Sequence, residues 1–346
     1  MNNIIKIKVY ILAAALIVGL IFNACHRREL EDYQMETALI PVRIDWSLSG
    51  VSLEKTHRAS VWLFPHNDGV PIEYLLEKNN KNDLTFREIA VPVGVYSVLV
   101  FNETIDDNDW NSLVFTGTDR YKTFAAISVP KSVRGFYTRS ESLPLIDDPD
   151  PIAAWSLDRF EVTPELIIRT RSISSRSALE EEAPDLTVIK PLPRYERVVI
   201  TAYVTNLSSS LQVTGTVDGM AAGVYMASGE KIEESAVHAF ILNGRVWDNE
   251  NDGTTTRAFN IFGRLPEPAR QKVVLDFLLT DGALHPQEEF DVTDLIVTKT
   301  ESIVTTHTID LGFSDNGGDH PITLPNLSMK AGIVVDGWDE IIIPIK

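Results

Sequence analysis

Cysteine is almost absent from this chain: Cys25 is the single thiol in 346 residues. Without a second cysteine no disulfide can form within the chain, so packed apolar cores must hold the fold. Basic residues are also scarce, with 31 Lys and Arg against 49 Asp and Glu and a formal charge of −18. Such a surface repels phosphate backbones and anionic head groups, which excludes nucleic acid as a partner and rules out a polybasic membrane patch. Beyond residues 9–22 no apolar run approaches the ~20 residues that a membrane-spanning helix needs. Catalytic signatures are missing too. The seven histidines have no H-x-x-x-H or H-E-x-x-H spacing, and no nucleophile elbow, P-loop or dinucleotide fingerprint occurs. The sequence reads as a non-enzyme, with neither cofactor nor metal.

The N-terminus carries the clearest positive signal. Lys6 and Lys8 precede an unbroken apolar run from Val9 to Phe22, followed by Asn23-Ala24-Cys25. A charged start, a short apolar core and a small residue at the exit make a secretory signal. The only cysteine stands where such a signal is cut, the layout of a bacterial lipoprotein, whose thiol receives a lipid. Phe22-Asn23 is a looser approach to the cysteine than usual, and the alternative is an ordinary signal with an incidental thiol. Lipidation at Cys25, with palmitate as one acyl chain, predicts outer-membrane anchoring, because each buried CH₂ contributes ~0.8 kcal/mol. Loss of residues 1–24 removes two lysines and takes the charge from −18 to −20. A polar tether, residues 25–37, follows. Its Glu29, Glu31 and Asp32 read either as a surface-export signal or as a solvated spacer.

Period-two patterning then begins. Ile40, Val42, Ile44, Trp46 and Leu48 alternate with polar or small residues, which predicts a half-buried strand. Further strands are expected at 59–64, 87–93, 96–101, 156–162, 197–204, 211–217, 239–242, 272–279, 332–335 and 341–345, separated by Gly, Pro and Asn breaks. Pro92 and Gly94 predict an edge strand or a bend. Short helices are expected at Ile72–Lys78 and Phe290–Val297. Between Pro144 and Pro193 the chain becomes rich in charge and serine, notably at Arg169–Ser177 and Glu180–Pro184. The expected architecture is all-β: two tandem sandwich domains, residues 38–190 (ending in that charged linker) and 191–346, behind the 1–24 signal and its tether.

Candidate sites are few. Asp107–Thr118 and Asp248–Phe259 begin like calcium loops, but Ser112 replaces the turn glycine in the first. Neither has an acidic twelfth residue, so both read as hairpin loops. Of six tryptophans, Trp46 falls on an apolar strand face. Trp110 and Trp247 sit among polar residues and are the candidates for exposed, glycan-stacking rings.

The segments Cys25-His26, Val42-Arg-Ile-Asp-Trp46 and Gly94-Val-Tyr96-Ser-Val98-Leu-Val-Phe101-Asn102-Glu103 resemble the fimbrial anchor lipoproteins of Bacteroidales. In the second half, Val213-Thr-Gly215-Thr-Val-Asp-Gly219-Met220-Ala-Ala-Gly223 is similar to a fimbrillin strand with a Gly-Met-Ala turn, and Gly337-Trp338-Asp-Glu-Ile341-Ile-Ile-Pro344 to the closing strand. The resemblance implies transthyretin-like sandwiches and a place in the type V pilus system, with pilin subunits as partners and the outer membrane, on its cell-surface side, as location. Pilins of this kind are trimmed after a basic residue. Arg27-Arg28 and Arg43 lack the setting for that, Arg58 is a weaker candidate, and a retained Cys25 suits an anchor or accessory subunit. Its mechanism would be β-strand complementation. The closing segment, with Ile341, Ile342, Ile343 and Ile345 around Pro344, is either an ordinary last strand or a segment exchanged with a partner. The alternative function is a surface glycan-binding lipoprotein beside a nutrient importer.

Overall fold

The computed structural model describes residues 37–52, 54–77, 86–106, 110–130, 145–167, 188–266, 270–300, 303–313, 322–327, 332–333 and 341–342. The fold is all-β. Residues from Ala38 onward cluster as a single compact unit. Among the described residues no helix is long and apolar enough to cross a membrane.

The first half is built on one middle sheet. Strands β2 (Arg58–Pro65), β3 (Ile72–Glu77), β5 (Gly94–Asn102), β9 (Ala153–Val162) and β10 (Leu192–Pro193) lie in the order β10-β9-β5-β2-β3. Both faces of this sheet are covered. On one, Val61, Leu63, Val98, Val100 and Phe160 pack with Ile40, Val42 and Trp46, which lie on and just after β1 (Thr37–Arg43). That strand pairs with β4 (Phe86–Pro92). On the other face, Trp62, Phe64, Leu99 and Phe101 pack under β6 (Leu113–Thr116) and β7 (Ala125–Ser128). Successive residues of a strand point to opposite faces, so β2 and β5 need apolar side chains at almost every position, as Val61–Phe64 and Val98–Phe101 supply. Between β4 and β5 the chain bends from the outer layer into the middle sheet. A Cβ at Gly94 would sit 2.9 Å from the Tyr96 hydroxyl, which itself donates to the Pro92 carbonyl at 3.0 Å. The bend expected at Pro92 and Gly94 is present.

The second half is a two-sheet sandwich around one core. One sheet runs β18-β17-β12-β14-β8, from β8 (Leu145–Ile146), β12 (Ser210–Ala221), β14 (Ser235–Leu242), β17 (Lys272–Leu279) and β18 (Glu288–Asp291). The facing sheet runs β15-β16-β11-β20-β19, from β11 (Glu196–Thr205), β15 (Gly244–Trp247), β16 (Gly253–Ile261), β19 (Val297–Lys299) and β20 (Thr306–Leu311), with β21 (Ile322–Thr323) also beside β11. Val198, Ile200, Val213, Val217, Phe240, Phe259, Leu275, Phe277 and Ile309 fill the space between them. Gly215 is covered by its ladder neighbours in the same sheet, since a Cβ there would lie 2.6 Å from the Phe240 ring and 2.8 Å from Leu275 Cδ2.

Among the described residues, strands β8 and β13 cross between the halves. β8, from the first half, adds in parallel to β14 through Val237↔Leu145 and His238↔Ile146. β13 (Gly223–Tyr225), from the second, pairs antiparallel with β7 through Gly223↔Ile127, Val224↔Ala126 and Tyr225↔Ala125. Ala221, Val224, Met226 and Phe262 thereby join the core under β6 and β7.

Three expectations are corrected. Ile72–Lys78 is not helical: residues 72–77 form β3, in register with β2 from Arg58↔Glu77 to Leu63↔Ile72. The spacing of Ile72, Leu75 and Leu76 is helix-compatible, but β2 needs partners for its backbone groups and tertiary pairing overrides a weak local preference. Phe290–Val297 is not a helix either. β18 ends at Asp291, whose Oδ1 accepts from the Thr293 N–H at 3.1 Å and its hydroxyl at 2.7 Å, making a turn in place of a helix cap. The first strand ends early, at Arg43, because Asp45 Oδ1 accepts from the Ser47 N–H at 3.0 Å and starts a 3₁₀ turn, Trp46–Leu48.

Candidate functional site

Unpaired backbone at the rim of a sheet is the chemical resource of a fold like this one. Among the described residues the rims differ in charge. β3 carries Glu73 and Glu77, β18 carries Glu288, Glu289 and Asp291, and β19 carries Lys299. β6, Leu113-Val-Phe-Thr116, carries no charge, and β15, Gly244-Arg-Val-Trp247, carries one. Its only charge, Arg245, is turned to structural use: Nη1 donates to the Ser210 carbonyl at 2.8 Å and Nη2 to the Leu211 carbonyl at 3.1 Å. Val246 and Trp247 remain 61% and 47% exposed. The strand is held from behind by its hairpin with β16, from Gly244↔Thr256 to Trp247↔Gly253. The turn of that hairpin is the acidic, calcium-loop-like stretch that begins at Asp248. Asn249 Oδ1 accepts from the N–H groups of Asn251 and Asp252 at 2.8 and 2.9 Å. The Asp252 carboxylate is taken by Asn249 Nδ2 at 2.9 Å and the Asn206 N–H at 2.8 Å, and these bonds lower its pKa.

A second feature is a cleft of 1230 Å³ beside the middle sheet, between residues 66–71, joining β2 to β3, and residues 119–123, joining β6 to β7. Phe64, His66, Ser97, Tyr121 and Asp158 line it. The Tyr121 hydroxyl donates to Asp158 Oδ1 at 3.0 Å. Burial, with that bond next, pushes the phenol up to about 12.

Among the described residues, those singled out in the sequence sit on separate elements. Cys25 lies outside the described residues, as do Ile343 and Ile345. Ile341 and Ile342 form β23 (Ile341–Ile342), paired antiparallel with β22 (Gly332–Ile333) as a separate two-stranded sheet. Trp110 is a correction. It is 8% exposed and belongs to the core under β6 and β7, with its indole N–H donating to the Thr104 carbonyl at 2.6 Å and its ring 5.7 Å from Phe115. Polar neighbours in sequence did not prevent burial, because the indole's one donor is satisfied inside. Trp247 is exposed, at the end of an edge strand. Among the described residues, no group of three or more His, Cys, Asp or Glu is placed to hold a metal ion. The cleft was not anticipated: its residues come from four separate segments, and no local spacing connects them.

The layered sheets place the molecule in the class of β-sandwich proteins. A candidate adhesin from Bacteroides ovatus superposes with a TM-score of 0.58 at 20% identity, covering 88% of this chain and 98% of that one, a likeness of fold. Lower similarity extends to a candidate polysaccharide-binding protein from Bacteroides thetaiotaomicron (TM-score 0.47, 12% identity, 89% and 98% coverage). The fimbrial anchor protein Mfa2 from Porphyromonas gingivalis follows (TM-score 0.42, 11% identity, 79% and 90% coverage). No curated protein matches the sequence. The chain belongs to the family described as a domain of unknown function, DUF5119, whose profile matches residues 24–240.

Proposed function

We propose that this protein is a lipid-anchored, non-enzymatic component of the outer-membrane surface, the anchor or accessory subunit of a fimbria, and that it engages pilin subunits by β-strand complementation. The observation that carries the reading is the β15 rim, whose one charge is tied back to β12 and whose apolar residues are exposed. A strand laid against it would satisfy unpaired backbone groups and cover Val246 and Trp247. The lipid anchor rests on the leader and on Cys25, and the family match beginning at residue 24 agrees with a mature protein starting at that thiol. On this reading the chain comprises two sandwich domains, divided near residue 190.

The test is cross-linking from the β15 rim. A photoreactive residue replacing Val246, in cells carrying the full chain, should trap pilin subunits in the membrane fraction. Trapping of an importer subunit would favour the glycan-binding alternative, and trapping of nothing would remove β15 from the mechanism. Independently, Cys25→Ala should abolish palmitate labelling and release the protein from the membrane fraction. Labelling that survives the substitution refutes the anchor.

A further inference from the structure

We propose that the cleft lined by Phe64, His66, Tyr121 and Asp158 binds a neutral oligosaccharide. Pockets for single small molecules run to ~1,000 Å³, so 1230 Å³ accommodates several linked sugar rings. Phe64 and Tyr121, both lining the cleft, pack with ring centroids 5.7 Å apart and planes inclined by 58°. Phe64 is buried, which leaves the half-buried Tyr121 as the accessible ring. Sugars present flat C–H faces to such rings and hydroxyls around their rim, and each hydroxyl both donates and accepts.

The polar groups of the wall are arranged to leave acceptors over. Ser97 Oγ donates to the Asp158 carbonyl at 2.7 Å. His66 Nε2 lies 3.0 Å from that hydroxyl and 3.2 Å from that carbonyl. The hydroxyl proton is already committed, so both neighbours of Nε2 act as acceptors and a neutral His66 carries its proton there. Nδ1 is then a lone-pair acceptor, and it has no hydrogen-bond partner among the described residues. Asp158 is used in the same way. Its Oδ1 receives the Tyr121 proton, the phenol stays protonated with its pKa pushed up to about 12, and Oδ2 is left open. Lys122, on the rim, supplies an ammonium donor that makes no ion pair among the described residues.

Charge selects among occupants. Asp68, Asp119 and Asp158 line the cleft with Arg120 and Lys122, an excess of one negative charge. The protein as a whole carries −18. Phosphorylated, sulfated or uronic ligands are therefore repelled. A basic peptide is the other occupant that charge would admit, but its cations would meet Arg120 and Lys122, whereas a neutral polyol meets no like charge. None of the lining residues belongs to β15, so the site stands whether or not that rim binds a pilin.

The test is calorimetric titration of the full-length protein in detergent with gluco-, manno-, xylo- and galacto-hexasaccharides, and with hexalysine as the competing probe. At least one hexasaccharide should bind. His66→Ala and Asp158→Asn, both at exposed positions, should each weaken that binding about tenfold, the equivalent of one hydrogen bond, with only a small change in melting temperature. Tyr121→Phe should weaken it less, because the ring remains. Absence of heat with all four sugars, sugar binding indifferent to both His66→Ala and Asp158→Asn, or binding of hexalysine alone would each overturn the proposal.

Discussion

Strands β5 and β11 show how differently the two halves use a strand of nearly equal length. In β5 every residue from Tyr96 to Asn102 is buried, because its sheet has a packed layer on both sides. In β11 buried Val198, Ile200, Ala202 and Val204 alternate with partly exposed residues, because its sheet covers a single core. A strand with two buried faces has no permissive positions, whereas a strand with one has a permissive position at every second residue. Tolerance to substitution should follow that rule.

The largest effect is expected in the doubly covered sheet. Phe101 is fully buried, with ring centroids 5.6 Å from both Phe115 and Phe124, and Phe101→Ala should cost about 3–5 kcal/mol. Its neighbour Val100 lies on the opposite face in the other core, so Val100→Ala should also destabilise, by roughly 1–3 kcal/mol. In β11 the same pair of tests should split. Ile200→Ala should cost about 2–5 kcal/mol and Thr201→Ala, at a permissive position, about 1 or less. Urea melts of the four variants give the answer. Equal losses at Ile200 and Thr201, or a silent Val100, would break the comparison.

The crossing strands predict that the halves depend on each other. A Cβ at Gly223 would lie 2.5 Å from the Ala126 carbonyl oxygen and 2.8 Å from Ile232 Cδ1, so Gly223→Ala should cost about 1–3 kcal/mol through overpacking. Cleavage in the charge-rich segment Arg169–Arg176, which lies outside the described residues, should give two fragments that co-elute in native gel filtration and separate only in denaturant. Fragments that part without denaturant would show that β8 and β13 contribute little and that the halves are self-sufficient.

A smaller effect is expected where β11 begins. Glu196 is partly buried, which by itself raises its pKa. The His307 Nε2–H donating to Oε2 at 2.6 Å and the Lys231 ammonium at 2.9 Å from Oε1 more than offset this and leave it lowered. A depressed carboxylate stabilises the fold above its unfolded pKa of about 4.3, and the contribution disappears as pH falls through the folded value. Lys231→Met should therefore cost about 1 kcal/mol at pH 7, with a smaller difference from the parent near pH 3. A deficit as large in acid as at neutrality would mean that Lys231 acts through packing.

The same contrast explains what was legible in the sequence. Strands β2, β5 and β11 stood out as segments bounded by polar, Gly, Pro or Asn breaks. Lys272–Leu279 was placed to the residue. What escaped was set by tertiary pairing. β3 took a helix-compatible stretch because the side of β2 away from β5 needed a partner. β8 and β13 are two and three residues long and exist only because a strand of the other half lies beside them. The cleft escaped for the same reason, since its acceptors arise from contacts such as His66 to Ser97 that no spacing encodes. The two candidate tryptophans show the limit most plainly: both sit among polar residues in sequence, yet one is core and the other lies on a rim.

That pair carries the last prediction. Trp110→Phe keeps a ring but orphans the Thr104 carbonyl, and should cost about 1–3 kcal/mol. Trp247→Ala and Val246→Lys should each change stability by about 0.5 kcal/mol or less, because both side chains are already in solvent. If β15 is the docking rim, these near-silent changes should act elsewhere. Lysine is the residue that natural sheets use to blunt an exposed edge, so Val246→Lys should suppress association with pilin subunits while the melting temperature stays fixed. The same substitution on the already charged rim β18, Phe290→Lys, controls for charge alone, although Phe290 packs partly against the core and will itself lower stability. Loss of association at Val246 with retention at Phe290 would locate the interface on β15. Retention at both would leave β15 an ordinary edge, with the exposure of Trp247 incidental.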